Sequence, residues 1–372
     1  MRTCRVCHKK SNLISKSLRV CYDCIINNWE EAYPHIIKIH NKVRRPLHLP
    51  FQPPRGGLLC TRCGNRCEIP SGGLGFCGMV QNNGGSLNVL SSSDIGYLYS
   101  YYDPLPTNCV ASWVCPAETG AGYPAYAYKN GPEYGYKNLA VFYHSCTFGC
   151  LFCQNNHFRE FYLKGRITAK ELAEKVNEKT ACICYFGGDP ASQIEHSIRT
   201  SEIALERAIK EDRILRICWE TNGSMAERHA RSIAQIALDS GGIIKFDIKA
   251  FSENLNIALT GVSNKRTLAN FILLSENIYR RKNPPLLTAS TLLIPGYIDE
   301  SEVRKIAQFI ASIDKSIPYT LLGFYPCYYM ADLPNTSRAH AKRCYDVAVE
   351  AGLERVKLSN VHLLRVNDYG VK

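Results

Sequence analysis

The sequence predicts an α/β fold: a partial (β/α)6 barrel preceded by small Cys-rich metal-binding modules. Three observations predict it. From Asn138 onward, strand-length apolar runs alternate with amphipathic helix-length runs, a pattern that gives a parallel sheet with helices outside. The 18 cysteines fall in tight pairs and triplets, a spacing that reads as metal ligation in a chain of this length. Hydrophobic residues make up 45% and charged residues 21%, a globular balance. The chain accordingly divides into a zinc-ribbon-like module over 1–50, a Cys-, Gly- and Tyr-rich module over 51–137 and the barrel over 138–372.

In the first module, Cys4-x-x-Cys7 and Cys21-x-x-Cys24 are separated by 13 residues. Two such knuckles complete a tetrahedral thiolate site, with structural zinc the first choice and a rubredoxin-type iron the second. The stretch Ile25 to Val43 reads as helical with Pro34 interrupting it, and Arg44–Gly57 reads as a linker. In the second module, Cys60-x-x-Cys63-x-x-x-Cys67 with Cys77 beyond forms another four-cysteine set. Its spacing leaves zinc and an auxiliary iron–sulfur cluster both open. Cys109 and Cys115 are expected to pack. Nine tyrosines between Tyr97 and Tyr136 either stack on a sugar, base or peptide or form an irregular subdomain over the barrel mouth.

The barrel strands are expected at Leu139–Tyr143, Ala181–Phe186, Ile214–Trp219, Ile243–Ile248, Leu286–Leu292 and Tyr319–Phe324, with Val356–Asn360 closing the sheet. The helices are expected at Ala169–Glu178, Gln193–Lys210, Met225–Leu238, Lys265–Arg281, Glu300–Ser312 and Ser337–Ala351. The first opens on a capping box, Thr168 with Glu171. Cys182, Cys184, Cys218 and Cys344 fall inside elements and read as core, and Cys327, after a strand end, also reads as packing. In such barrels, chemistry sits at the C-terminal ends of the strands.

That rule selects His144-Ser-Cys146-Thr-Phe-Gly-Cys150-Leu-Phe-Cys153. Three thiolates this close can wrap one cuboidal [4Fe-4S] cluster and leave its fourth iron open. A zinc knuckle completed by His144 or His157 is the competing reading. The C-x-x-x-C-x-x-C spacing, with Phe152 before the third cysteine, resembles the signature of the radical S-adenosylmethionine (SAM) superfamily. The resemblance implies that the open iron binds SAM. One electron then splits the sulfonium into methionine and a 5′-deoxyadenosyl radical.

Further segments resemble the pyruvate formate-lyase activating enzyme family. Gly187-Gly188-Asp189-Pro190 is similar to its Gly-Gly-Glu-Pro segment, which implies that these residues receive the SAM amino group. Glu220-Thr221-Asn222-Gly223 and Asp247-Ile248-Lys249 resemble its Asp-Thr-Asn-Gly and Asp-Leu-Lys segments. By that resemblance Glu220, Thr221 and Asp247 would ligate a monovalent cation, and Lys249 would pair with the SAM carboxylate. Glu220 replaces the family's Asp. Ile294, within Thr291–Asp299, would meet the adenine, and Tyr328 would lie where these enzymes often carry a ribose-side His. The Cys60–Cys77 stretch resembles the amino-terminal segment of AmmeMemoRadiSam-type relatives.

The resemblance implies hydrogen abstraction from a substrate, with a protein as one candidate and a flavodoxin- or ferredoxin-type one-electron donor. Methylation or another modification of a peptide, RNA or small molecule is the alternative. None of the ten His has Asp two positions before it, so the Asp-x-His-x-x-Gly cobalamin motif is missing. The net charge of +12 leaves nucleic acid open as a partner, and a zinc-dependent nucleic-acid-binding module is the non-enzymatic reading. The apolar runs are too short to span a membrane, and the polar residues Met1 to Cys7 are unlike a signal peptide. A cytoplasmic location is expected.

Overall fold

The structure, a computed structural model, describes residues 1–369. Its centre is a nine-stranded sheet built from β1 Ile95–Pro104, β2 Lys137–Tyr143, β3 Arg166–Thr168, β4 Thr180–Phe186, β5 Arg216–Thr221, β6 Ile244–Asp247, β7 Leu287–Leu293, β8 Tyr319–Gly323 and β9 Val356–Ser359. The order across the sheet is β9-β8-β7-β6-β5-β4-β2-β1-β3. Strand β2 and strands β4 to β9 run parallel. Strand β1 runs antiparallel to its neighbours β2 and β3. The expected α/β partial barrel is present. Its strands are near-continuous apolar runs because both faces are covered, and every residue of β7 is buried.

The helices of six or more residues are α1 Tyr22–Asn27, α2 Trp29–Arg44, α3 Ala169–Glu174, α4 Ile194–Lys210, α5 Glu227–Ser240, α6 Glu253–Thr260, α7 Lys265–Ser275, α8 Glu300–Ile313 and α9 Arg338–Glu350. Polar side chains set several of their starts. The Thr168–Glu171 capping box is formed at α3, Asp299 accepts from the amides of Ser301 and Glu302 at α8, and Ser337 accepts from His340 at α9. Such caps satisfy amides that the first turn leaves without a partner.

Several boundaries differ from expectation. The break before α2 falls at Asn28, whose φ of −129° and ψ of 50° are not helical. Pro34 lies inside α2, where it removes one hydrogen bond near the N-terminus without ending the helix. Arg44 belongs to this helix and is buried, so the linker begins after it. Strand β5 runs two residues further than expected, which places Glu220 and Thr221 on the strand end itself. Helix α7 stops at Ser275 and is followed by a 3-10 turn over Ile278–Arg280.

The first module packs on the barrel through the loop after β7. The Tyr297 hydroxyl accepts from the Ser15 amide at 2.9 Å and donates to the Val20 carbonyl at 3.0 Å. One hydrophobic core runs from Cys4 through the sheet to Leu353. The Tyr-rich stretch after β1 meets the strands at their N-terminal ends, opposite the mouth. Glu133 pairs with Arg216 at the start of β5, and the Tyr128 hydroxyl bonds to the Ile214 carbonyl at 2.8 Å.

Candidate active site

The loop after β2 carries Cys146, Cys150 and Cys153. It is held from below by α6, because the Gly149 amide bonds to the Thr260 carbonyl at 2.7 Å and the Leu151 amide to the Leu259 carbonyl at 3.0 Å. Those carbonyls are the open C-terminal end of the helix, which seeks donors. From the other side, Asn222 Nδ2 bonds to Thr147 Oγ1 at 2.8 Å and lies 3.8 Å from Cys146 Sγ. The Phe148 amide donates to Cys146 Sγ at 3.3 Å.

The three cysteines open onto a cavity of about 240 Å³ at the C-terminal ends of the strands, which Gly187, Asp247 and Lys249 also line. Burial raises the Cys146 thiol well above its ordinary range, and the nearby Asp189 adds to this. Burial pushes Cys150 up to about 12, opposed by Lys249. Thiols in such surroundings stay protonated unless a metal cation takes the place of the proton.

After β4 the chain turns through Gly187 and Gly188 at φ of 66° and 47°. A Cβ at Gly187 would lie 1.8 Å from Phe142 Cδ1, and one at Gly188 would lie 2.3 Å from the Ser145 carbonyl oxygen. Only glycine fits this contact with the cysteine loop. Asp189 is buried and fully engaged: it accepts from the Ala191 amide at 2.7 Å, the Asn222 amide at 2.6 Å and the Thr221 hydroxyl at 3.0 Å. Burial raises its carboxyl to about 6, against the pull of those donors. Its side chain therefore ties the turn after β4 to the end of β5.

Glu220, Thr221 and Asp247 all line the cavity, but each has a different partner. Glu220 lies 3.5 Å from Lys245 Nζ, Thr221 donates to Asp189, and Asp247 Oδ2 pairs with Lys249 Nζ. Asp247 Oδ1 is buried without a hydrogen-bond partner. Burial alone would lower the Lys249 pKa, yet Asp247 and Cys150 hold it above the ordinary ammonium range. Its Nζ stands 5.5 Å above the Phe152 ring, so Phe152 positions a cation here.

Ile294 and Tyr328 stand apart from the cavity lining. Ile294 is fully buried in the turn after β7, and Tyr328 lies 5.2 Å beneath the Arg159 guanidinium. Cys182, Cys184, Cys218 and Cys344 are buried as expected. Cys109 packs beside Ala111 and Ile243, and Cys327 donates to the Phe152 carbonyl at 3.2 Å.

Sequence reasoning missed two cations. Arg159 lines the cavity, and its Nη1 is buried without a partner. Lys245, on β6, lies 3.0 Å from Cys184 Sγ and 3.1 Å from Cys109 Sγ. Its signal was legible, since Lys245 and Asp247 are two apart on one strand and share a face. Arg159 follows the third cysteine on an irregular turn and carries no periodic signal.

Of the cysteine sets ahead of the barrel, one has mononuclear geometry. The Sγ atoms of Cys4, Cys7, Cys21 and Cys24 all lie within 4.8 Å of one another, with Cys4–Cys24 at 3.8 Å and Cys7–Cys21 at 3.7 Å. A tetrahedral ion with metal–sulfur bonds of about 2.3 Å separates its sulfurs by about 3.8 Å.

The family model of the radical SAM superfamily matches residues 140–310. A Methanocaldococcus jannaschii protein named as a glycyl-radical enzyme activating enzyme is 27% identical over 191 residues, which cover 50% of this chain and 67% of that one. Pyruvate formate-lyase 1-activating enzyme of Escherichia coli K12 is 23% identical over 191 residues, 49% of this chain and 74% of its own. A solved domain of a pyruvate-formate lyase-activating enzyme from Bacteroides vulgatus aligns with 48% of this chain and 98% of its own, at 17% identity and a TM-score of 0.38. Residues 140–310 form a radical SAM domain, and over about half its length the chain is similar to glycyl-radical activating enzymes.

Proposed function

We propose that Cys146, Cys150 and Cys153 hold a [4Fe-4S] cluster and that the cavity above them binds SAM for reductive cleavage. The observation that carries this reading is the convergence of three thiols, the Gly187–Gly188 turn and the Asp247–Lys249 pair on one cavity at the strand ends. When bound, the cluster and SAM supply a 5′-deoxyadenosyl radical. Lys249 offers its ammonium to the SAM carboxylate, and the Gly187–Gly188 turn, which lines the cavity, receives the amino group. Asp189 positions Thr221 and Asn222, and Asn222 in turn fixes the loop at Thr147. Asp247 Oδ1, which has no partner, is the oxygen available to a monovalent cation. Glu220 is drawn to Lys245 instead.

The relatives' names, each describing the activation of another enzyme, support a protein as substrate. The sulfur spacing of Cys4, Cys7, Cys21 and Cys24 supports a structural zinc. Among the described residues no helix is long and apolar enough to cross a membrane, and the cysteine chemistry favours the cytoplasm.

The test is anaerobic incubation with SAM and dithionite. Wild type should release methionine and 5′-deoxyadenosine. Cys150→Ala should release neither while keeping the metal of the Cys4 set. Protein that carries zinc alone and releases no 5′-deoxyadenosine would contradict the reading.

A further inference from the structure

We propose that Cys60, Cys63, Cys67 and Cys77 hold a second cuboidal [4Fe-4S] cluster, which relays electrons to the Cys146–Cys150–Cys153 site. The first argument is sulfur spacing. Among the described residues, the Cys4 set is the one cysteine group with three or more sulfurs mutually within 4.8 Å. Cys60, Cys63, Cys67 and Cys77 nevertheless line one small cavity, together with Val80 and Ala191. Four sulfurs that converge without closing to the spacing of one ion fit a ligand that gives each its own metal atom. The cubane does this, with one iron at each thiolate. The proposed radical SAM cysteines behave alike: they share a cavity and also miss the single-ion spacing. Because four thiolates serve four irons, no iron is left open for SAM or substrate, and electron transfer is the chemistry that remains.

The second argument is the surroundings of the sulfurs. The Phe76 amide donates to Cys67 Sγ at 3.3 Å, and the Met79 amide to Cys77 Sγ at 3.4 Å. The latter repeats the geometry of Phe148 on Cys146, an amide two residues on donating to the sulfur. Amide donors of this kind stabilise thiolate charge and set cluster potentials.

The third argument is adjacency. Asn65 Nδ2, between Cys63 and Cys67, donates to the Thr147 carbonyl at 2.8 Å, and Ser145 Oγ donates to the Cys77 carbonyl at 2.8 Å. Cys77 and Cys146 line one further cavity, and Arg44 lies in its wall. The Arg44 side chain is buried against the Phe76 ring, 3.7 Å from its centroid, and bonds to the Pro50 carbonyl at 2.6 Å. Among the described residues it pairs with no carboxylate. Its partners, the Pro50 and Phe76 carbonyls, bring no full negative charge, and thiolate-bound clusters at Cys77 and Cys146, which line the same cavity, would supply it.

The relay role rests on the proposed function, whereas the second cluster does not. In the relay, a reduced flavodoxin- or ferredoxin-type protein gives one electron to the Cys60 set. That site is reoxidised as the electron passes to the cluster at Cys146, and no bond or proton moves.

The test is iron, sulfide and zinc analysis with Mössbauer and EPR spectroscopy on three anaerobically reconstituted full-length proteins. Wild type should hold about eight irons and eight sulfides outside the Cys4 set. Cys146→Ala/Cys150→Ala/Cys153→Ala should keep about four of each, with an EPR signal that SAM does not alter. Cys63→Ala/Cys67→Ala should also keep about four, with a signal that SAM does alter. Zinc without sulfide in the triple variant would overturn the second cluster. Four irons in wild type, unchanged in the triple variant, would uphold the second cluster and overturn the radical site. If the triple variant is too unstable to purify, wild type and Cys63→Ala/Cys67→Ala decide: a fall from about eight irons to about four upholds the second cluster, and an unchanged iron count overturns it.

Discussion

Lys249 and Asp247 sit two residues apart at the end of β6, so both side chains point into the same cavity. Paired with Asp247 and lying over the Phe152 ring, the ammonium is placed to meet a second carboxylate. Hydrogen bonds to charged groups contribute about 1.5–3 kcal/mol. Lys249→Ala should therefore weaken SAM binding by roughly 10- to 100-fold. Iron content should stay unchanged, because Lys249 ligates no metal. Equilibrium binding of SAM to the reconstituted variant checks this, and unaltered affinity would remove the carboxylate assignment. At this scale the sequence was informative wherever a motif fixed both residue type and spacing, as at Cys146, Gly187, Gly188 and Lys249. For Asp189 the resemblance implied a part in receiving the SAM amino group, and gave no sign of the donors that hold its carboxylate. Its three donors are amides and a hydroxyl from two separate loops, a convergence that only the fold creates.

The elements that position the site were read unevenly. Six parallel strands and their helices were visible because apolar runs of strand length alternate with helical periodicity. Helix α6 was missed: it has eight residues, and its buried positions include Leu255, Asn256, Ala258, Leu259 and Thr260, so no polar face marks the period. Yet its end anchors the cysteine loop through Gly149 and Leu151. Strand β1 was missed because Tyr and Gly obscure its alternation, although Leu98 and Gly96 face inward. At the N-terminal end of β5, the Arg216–Glu133 pair ties the Tyr-rich stretch to the barrel, with both side chains almost wholly buried. Removing one partner of such a pair strands the other charge, at a cost of about 3–5 kcal/mol. Glu133→Gln should lower unfolding stability by that amount. Glu133→Leu/Arg216→Met should recover most of it, since apolar replacement removes both charges. Urea unfolding measures both, and a stable Glu133→Gln would show that the pair does not anchor this module.

Across the whole molecule, the two small modules pack on different parts of one barrel. The Cys4 module docks at the turn after β7 through Tyr297. The Cys60 module docks on the cysteine loop and on α4, where Arg62 Nη1 meets Glu195 at 2.8 Å. The two four-cysteine sets were legible from their spacing, but their placement was not, because it depends on single polar contacts between distant segments. The placement separates a mononuclear site far along the sequence from the barrel loop from a four-cysteine set that shares a wall with it. The central claim, that Cys146, Cys150 and Cys153 present an open iron to SAM, is tested most directly by EPR of the dithionite-reduced Cys63→Ala/Cys67→Ala variant before and after SAM is added. A signal that shifts on addition, and is missing when Cys150→Ala is combined with these changes, is the predicted result. A signal indifferent to SAM would contradict the claim.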